Sequence, residues 1–190
     1  MKKMMYIPFC VAVIFAAPAM ADADSMSWPG SAHSYLDASY IDYDLESGGV
    51  SVEPDGYWLK LSVAFTDGIF AIVDRRSVTR SGFDFDTEGY GFGMNGDAWY
   101  ASYTYNTWDW NGSEFDVDTV RLGFRNDLSD RLEFNASYSW NDFEDADNED
   151  GFQLGFVYRL TENFQLTTEY ETIGGDLDVD YLSAGIRISF

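Results

Sequence analysis

The sequence predicts an all-β fold: an up-and-down antiparallel transmembrane β-barrel of ten strands, or of eight if a weakly alternating pair merges. Three observations predict it. Apolar and polar residues alternate with period two through most of the chain, and helical periodicity is nearly absent. Turn residues punctuate the alternation at regular intervals. The final segment sets Leu182, Ala184, Ile186, Ile188 and Phe190 on one face, with Tyr181, Ser183, Gly185, Arg187 and Ser189 on the other.

The elements follow in order. Lys2 and Lys3 precede an apolar run from Met4 to Ala17, and Ala19-Met20-Ala21 is a small-x-small cleavage site. Residues 1–21 therefore read as a secretory signal peptide, the run being too short to span a membrane. Residues 22–190 read as one barrel domain. The only cysteine, Cys10, lies inside the apolar run, so the mature chain has no disulfide to rely on. No later stretch is long and apolar enough for a membrane helix.

Ten segments alternate as strands: 34–45, 55–66, 68–76, 84–95, 97–109, 114–126, 130–142, 150–160, 162–172 and 178–190. The second sets Tyr57, Leu59, Leu61, Val63 and Phe65 against Trp58, Lys60, Ser62 and Ala64. The seventh opposes Leu132, Phe134, Ala136, Tyr138 and Trp140 to Glu133, Asn135, Ser137, Ser139 and Asn141. Short turns are expected at 66–68, 95–97, 126–130 and 161–163, and longer loops at 46–54, 77–83, 110–113, 144–149 and 174–177. Short turns at one end and longer loops at the other are the membrane-barrel pattern, with the short turns and both termini periplasmic.

The polar face decides which way the barrel is turned. It carries Lys60, Arg121, Arg125, Arg159, Arg187, Glu133, Glu169 and Glu171, with Asp37 as a further partner, beside Gly89, Gly91, Gly93, Gly123, Gly155 and Gly185. Glycine in a water-facing strand gains nothing and loses entropy. Inside a narrow barrel it makes room for large neighbours. A soluble sandwich or lipocalin-like barrel would bury the aromatic face instead. These charges are expected to form a nearly balanced lumen network, because a stranded charge in a low-dielectric interior is expensive. Trp58, Tyr100 and Trp108 would take much of the remaining space. Ten tilted strands enclose a bore of roughly 20 Å, too narrow for a wide diffusion channel.

Charge limits the partners. Nine basic and 33 acidic residues follow the signal, a mature charge of −24. That disfavours nucleic acid, whose backbone calls for Lys and Arg. The excess acid is expected on loops and rims. The run from Asp142 to Gly151 is the densest, and Asp145, Asp147 and Glu149 are weak candidates for a calcium or magnesium ion. An EF-hand loop counted from Asp145 needs glycine where Asp150 stands, so a solvated loop is the plainer reading. Arg75, Arg76 and Arg80 form an outward basic cluster suited to lipopolysaccharide phosphates, or to nearby Asp84 and Asp86. No cofactor is implied. The one histidine, His33, has no nucleophile or acidic partner that spacing can set beside it, so no enzyme is expected. Asn111-Gly112-Ser113 has the form of a glycosylation triplet but reads as turn chemistry.

The signal peptide, the segments Val120-Arg121-Leu122-Gly123-Phe124-Arg125 and Phe152-Gln153-Leu154-Gly155-Phe156-Val157-Tyr158, and the ending Ile186-Arg187-Ile188-Ser189-Phe190 together resemble the small outer-membrane β-barrel family of Gram-negative bacteria, in the broad OmpA/OmpX-like porin superfamily. The resemblance spans the whole mature chain. It implies an assembly signal in Leu182, Ile186, Ile188 and Phe190. The partners it implies are periplasmic chaperones, the barrel-assembly machinery, and outer-membrane lipid with lipopolysaccharide. Enzymes of that architecture mostly use a histidine base; other members are adhesins, structural barrels and small pores. The expected role is a non-enzymatic surface barrel with a side-chain-filled lumen and acidic outer loops, the alternative being a small, weakly cation-preferring channel.

Overall fold

A computed structural model describes residues 34–47, 50–144, 147–174 and 177–190. The expected signal peptide, the boundary at residue 22 and His33 lie outside the described residues. The strands are β1 (Tyr35–Ser47), β2 (Val50–Val52), β3 (Asp55–Thr66), β4 (Ile69–Arg80), β5 (Phe83–Asn95), β6 (Trp99–Trp110), β7 (Ser113–Asp127), β8 (Leu132–Phe143), β9 (Glu149–Arg159), β10 (Phe164–Gly174) and β11 (Leu177–Ser189). Each pairs antiparallel with its chain neighbour, and β11 closes on β1 from Tyr35↔Ser189 to Ser47↔Leu177. Short β2 and β3 lie end to end along β1. Pro54, which has no N–H to offer a ladder, stands between them, and its carbonyl accepts from the Tyr43 amide at 3.0 Å. The wall therefore has ten strand positions, not eight.

The strand limits match the alternation closely, with two corrections. Residues 77–83 and 110–113 are not longer loops. β4 and β5 stay paired to Arg80↔Phe83, and β6 and β7 to Trp110↔Ser113. Two-residue turns join them, with positive φ at Ser81 (43°), Gly82 (88°), Asn111 (52°) and Gly112 (86°). Such paired positive φ values match the twist of a hairpin, and Asn-Gly is the usual sequence for it. The expected contrast between short turns and long loops thus fails here. The strands themselves run on where loops were expected.

The reason is a change of phase along the strands. In β5, Tyr90, Phe92 and Met94 face outward, while Gly89, Gly91 and Gly93 face the lumen. Further along the same strand Phe83 and Phe85 are buried inside and Asp84 is exposed. In β7, Val120, Leu122 and Phe124 point out, but Val117 points in beside outward Asp116 and Asp118. In β1, Tyr40 points out, whereas Ile41, Tyr43 and Leu45 are buried between exposed Asp42, Asp44 and Glu46. β11 does the same, with Leu182 outward and Val179 and Tyr181 buried.

The barrel is consequently built in two storeys. The storey at the end of the described termini is inside-out, with an apolar outer belt and a polar lumen. Phe65, Phe92 and Leu122 of that belt are 68%, 61% and 59% exposed. A continuous exposed apolar band of this kind is made for lipid, and a closed barrel leaves no backbone edge unpaired there. The far storey is arranged like a water-soluble barrel, with acids outside and an apolar core inside. The excess acid therefore sits largely on strand faces rather than only on loops and rims. Glycine makes the first storey possible: a Cβ on Gly123 would lie 2.1 Å from the Tyr100 ring, and one on Gly93 2.3 Å from the Phe70 ring.

Candidate functional site

Among the described residues, the lumen brings distant chemistry together. In the first storey Arg121 meets Glu171 at 2.5 Å and donates to Gln153 Oε1 at 2.7 Å. Gln153 donates on to Glu169 at 3.0 Å, and Lys60 reaches Glu169 at 3.3 Å. Arg187 binds Asp37 at 3.0 Å, and Ser39 also donates to Asp37, at 2.8 Å. Nearest the described termini, Arg159 spans Glu133 at 3.0 Å and Asp127 at 2.8 Å. The Tyr181 hydroxyl donates to Glu171, which is 1% exposed. Strand parity alone places these groups, since each is an inward residue of its strand.

The network passes into the far storey through a stack of cations and rings. Lys60 Nζ sits 3.7 Å from the Trp58 ring centre, and the Arg76 guanidinium lies 4.3 Å from it. Arg76 also covers Tyr181 at 5.0 Å and donates to the Tyr43 hydroxyl at 3.1 Å. All three cation–ring contacts are within the range of cation–π attraction. Arg76 is thus a lumen residue on β4, which corrects the expectation of an outward cluster of three arginines. Period two puts Arg75 and Arg76 on opposite faces. Arg75 faces out and pairs with Glu88 at 3.1 Å; Arg80, at the end of β4, lies 3.6 Å from Glu53.

Beyond the stack, aromatic rings pack across the bore. Trp108 packs on Phe85 (5.3 Å between centres), Phe143 (5.4 Å) and Phe115 (5.9 Å). Phe85 touches Tyr43 at 5.7 Å, Tyr43 touches Tyr181 at 5.2 Å, and Tyr181 touches Trp58 at 5.8 Å. The chain of rings runs from β8 across β6, β5, β1 and β11 to β3. Ile41, Leu45, Val78, Val117, Ile173 and Val179 fill in around it, each at most 5% exposed. Below this cap a cavity of about 140 Å³ is left among Lys60, Arg76, Arg121, Arg125, Glu169 and Arg187.

Outside, the boundary between storeys carries a repeated hydrogen bond. Tyr40 donates to Asp55 (2.9 Å), Tyr103 to Asp118 (2.5 Å), Tyr138 to Asp150 (2.6 Å) and Tyr170 to Asp180 (3.2 Å). Each pair runs diagonally between the strands of one hairpin. Tyrosine has an apolar ring and a polar tip, which suits the edge of an apolar belt.

The described members of the acidic run lie on different faces. Asp147 is exposed, Glu149 is buried inside the barrel at 5% exposure, and Asp145 is outside the described residues. No described group of three or more potential ligands is placed to hold an ion. Leu182, Ile186 and Ile188 face outward on β11, and the Phe190 amide donates to the Ser34 carbonyl at 3.1 Å.

No protein-family model matches the chain, and no curated protein does. Among solved structures, the translocator domain of the autotransporter NalP from Neisseria meningitidis aligns over 96% of this chain and 96% of its own, with a TM-score of 0.50 and 11% identity. The fold is that of a closed, ten-stranded antiparallel transmembrane β-barrel. The barrel is also similar to the KdgM porin (8% identity, 82% of this chain and 99% of that one, TM-score 0.47). Neisserial surface protein A is another (16% identity, 82% and 96%, TM-score 0.45). At such identities the likeness concerns architecture alone.

Sequence reasoning placed Lys60, Arg121, Arg125, Arg159, Arg187, Glu133, Glu169 and Glu171 on one face, and all of them point into the lumen. It set Trp58, Trp108 and Tyr181 on the inner face but missed Arg76 as a lumen residue and Tyr43, Phe85 and Phe143 as members of the ring cap. The available signal was the exchange of apolar parity within a strand, as in Phe83-Asp84-Phe85-Asp86 followed by Tyr90-Gly91-Phe92.

Proposed function

We propose that this is an exported, non-enzymatic outer-membrane barrel whose lumen is closed and whose acidic far storey stands above the lipid as a rigid surface for contacts outside the cell. One observation carries the reading: the ring cap bridges opposite walls at the end where a channel would need its mouth. In this orientation both described ends, the segments 67–68, 96–98, 128–131 and 160–163, and the Arg159 group are periplasmic. The Tyr–Asp pairs then lie at the outer lipid edge. Arg75, outward near that level, is the arginine best placed for a lipopolysaccharide phosphate. Outward Leu182, Ile186 and Ile188, with Phe190, are the surface offered to the assembly machinery. The lumen carboxylates Glu133, Glu169 and Glu171 are held by cations, which suits scaffolding rather than acid–base work.

Single-channel recording on the purified barrel tests the reading. The closed lumen predicts a baseline without steady conductance steps. Regular steps with a preference for cations would instead establish the small acidic-mouthed channel.

A further inference from the structure

We propose that the chamber under the ring cap binds a small inorganic oxyanion of the phosphate or sulfate class, anchored by Arg125. This goes beyond the closed-barrel reading, which needs only that the chamber be sealed at its far end.

Three observations combine. First, Arg125 is 8% exposed, and its Nη2 has no hydrogen-bond partner among the described residues. No ion pair to its guanidinium is formed among them either, whereas Lys60, Arg121, Arg159 and Arg187 each have one. Arginine cannot shed its charge by losing a proton, so a buried guanidinium needs an acceptor brought to it. Second, Arg125 lines the cavity of about 140 Å³, which exceeds the space needed for a single water. Third, the shortage is one-sided. Trp58 Nε1 and Arg76 Nε, on the same cavity, are also buried N–H donors without a partner. The chamber's glutamates are meanwhile engaged: Glu133 by Arg159, Glu169 by Lys60 and Gln153, and Glu171 by Arg121 and Tyr181. Asp74 is a further carboxylate on the lining, and Arg187 is held by Asp37 just outside it.

A buried guanidinium without a carboxylate partner, beside two further unpartnered N–H donors, suits an anion whose several oxygens accept at once. Guanidinium and oxyanion match in shape as well as in charge. The cap blocks the far end, so the route in is the polar floor beside Arg159 and Asp127, where Asp127 is 58% exposed.

The test uses the protein purified in detergent, melted in inorganic phosphate or in HEPES of equal ionic strength, whose sulfonate is too bulky for the chamber. Phosphate should raise Tm saturably by about 2–5 °C, as expected for a ligand bound only by the native state. Arg125→Met should abolish the rise, and Arg125→Lys should keep part of it. Phosphate-31 line broadening by the unaltered protein, competed by sulfate but not by HEPES, serves as a second readout if Arg125→Met does not fold. An equal rise in both buffers, an undiminished rise in Arg125→Met, or the absence of both rise and broadening would overturn the proposal and leave a chamber filled by water.

Discussion

Glu171→Ala should destabilise the barrel by about 3–5 kcal/mol, the usual result of removing one member of a buried ion pair. Glu171 is 1% exposed and accepts from both Arg121 and Tyr181. Without it, Arg121 keeps only Ser137 and Gln153. Neither neutralises its charge, and arginine does not deprotonate. The loss should appear as a lower urea midpoint for unfolding from lipid vesicles, at unchanged slope. The double variant Arg121→Met/Glu171→Leu should recover most of it, because two apolar groups leave nothing to compensate. A single variant within about 1 kcal/mol of the parent would mean that water already reaches the pair.

Trp108→Ala should cost a comparable ~3–5 kcal/mol, from lost burial and from the cavity left behind. Trp108 is 6% exposed and joins Phe85, Phe115 and Phe143 into one cluster. Trp99→Ala should cost much less, because Trp99 is 49% exposed on the outer face. The same vesicle unfolding assay compares them. Equal losses would place the stability in the lipid-facing belt rather than in the cap. The cap variant should also show brief conductance openings that the parent lacks, since the indole is removed from the middle of the ring chain.

The wall was legible because parity is local. Most strands of the lipid storey report their lumen face by themselves, as Leu132 to Asn141 does, and antiparallel hairpins then set the neighbours; the unbroken apolar run Ile69 to Val73 of β4 does not. The lumen partners were legible only as a set: that Arg121 meets Glu171 rather than Glu133 depends on barrel closure and stagger, which no single strand encodes. The far storey was misread for a physical reason. Alternation looks the same whether the apolar set faces lipid or a core, and only the change of parity within a strand tells them apart. Phe83 and Phe85 carry that change, but Phe83 fell in the loop expected over 77–83 and Phe85 near the start of the strand expected over 84–95. The Ser81-Gly82 and Asn111-Gly112 turns show why loop length misled: tight turns can end strands at any height above the lipid.

The two-storey division predicts where the lipid ends on a given strand. On β7 the outward residues run Leu122, Val120, Asp118 and Asp116, with Tyr103 of β6 donating to Asp118. The only cysteine is Cys10, within the expected signal, so single nitroxide labels can be placed cleanly. Labels at Leu122→Cys and Asp116→Cys, compared for collision with oxygen and with a water-soluble nickel chelate, measure the depth of each. Oxygen should dominate at 122 and the nickel chelate at 116, with the exchange falling near 118. A label at 116 as deep in lipid as the one at 122 would contradict the division, and with it the projecting acidic storey.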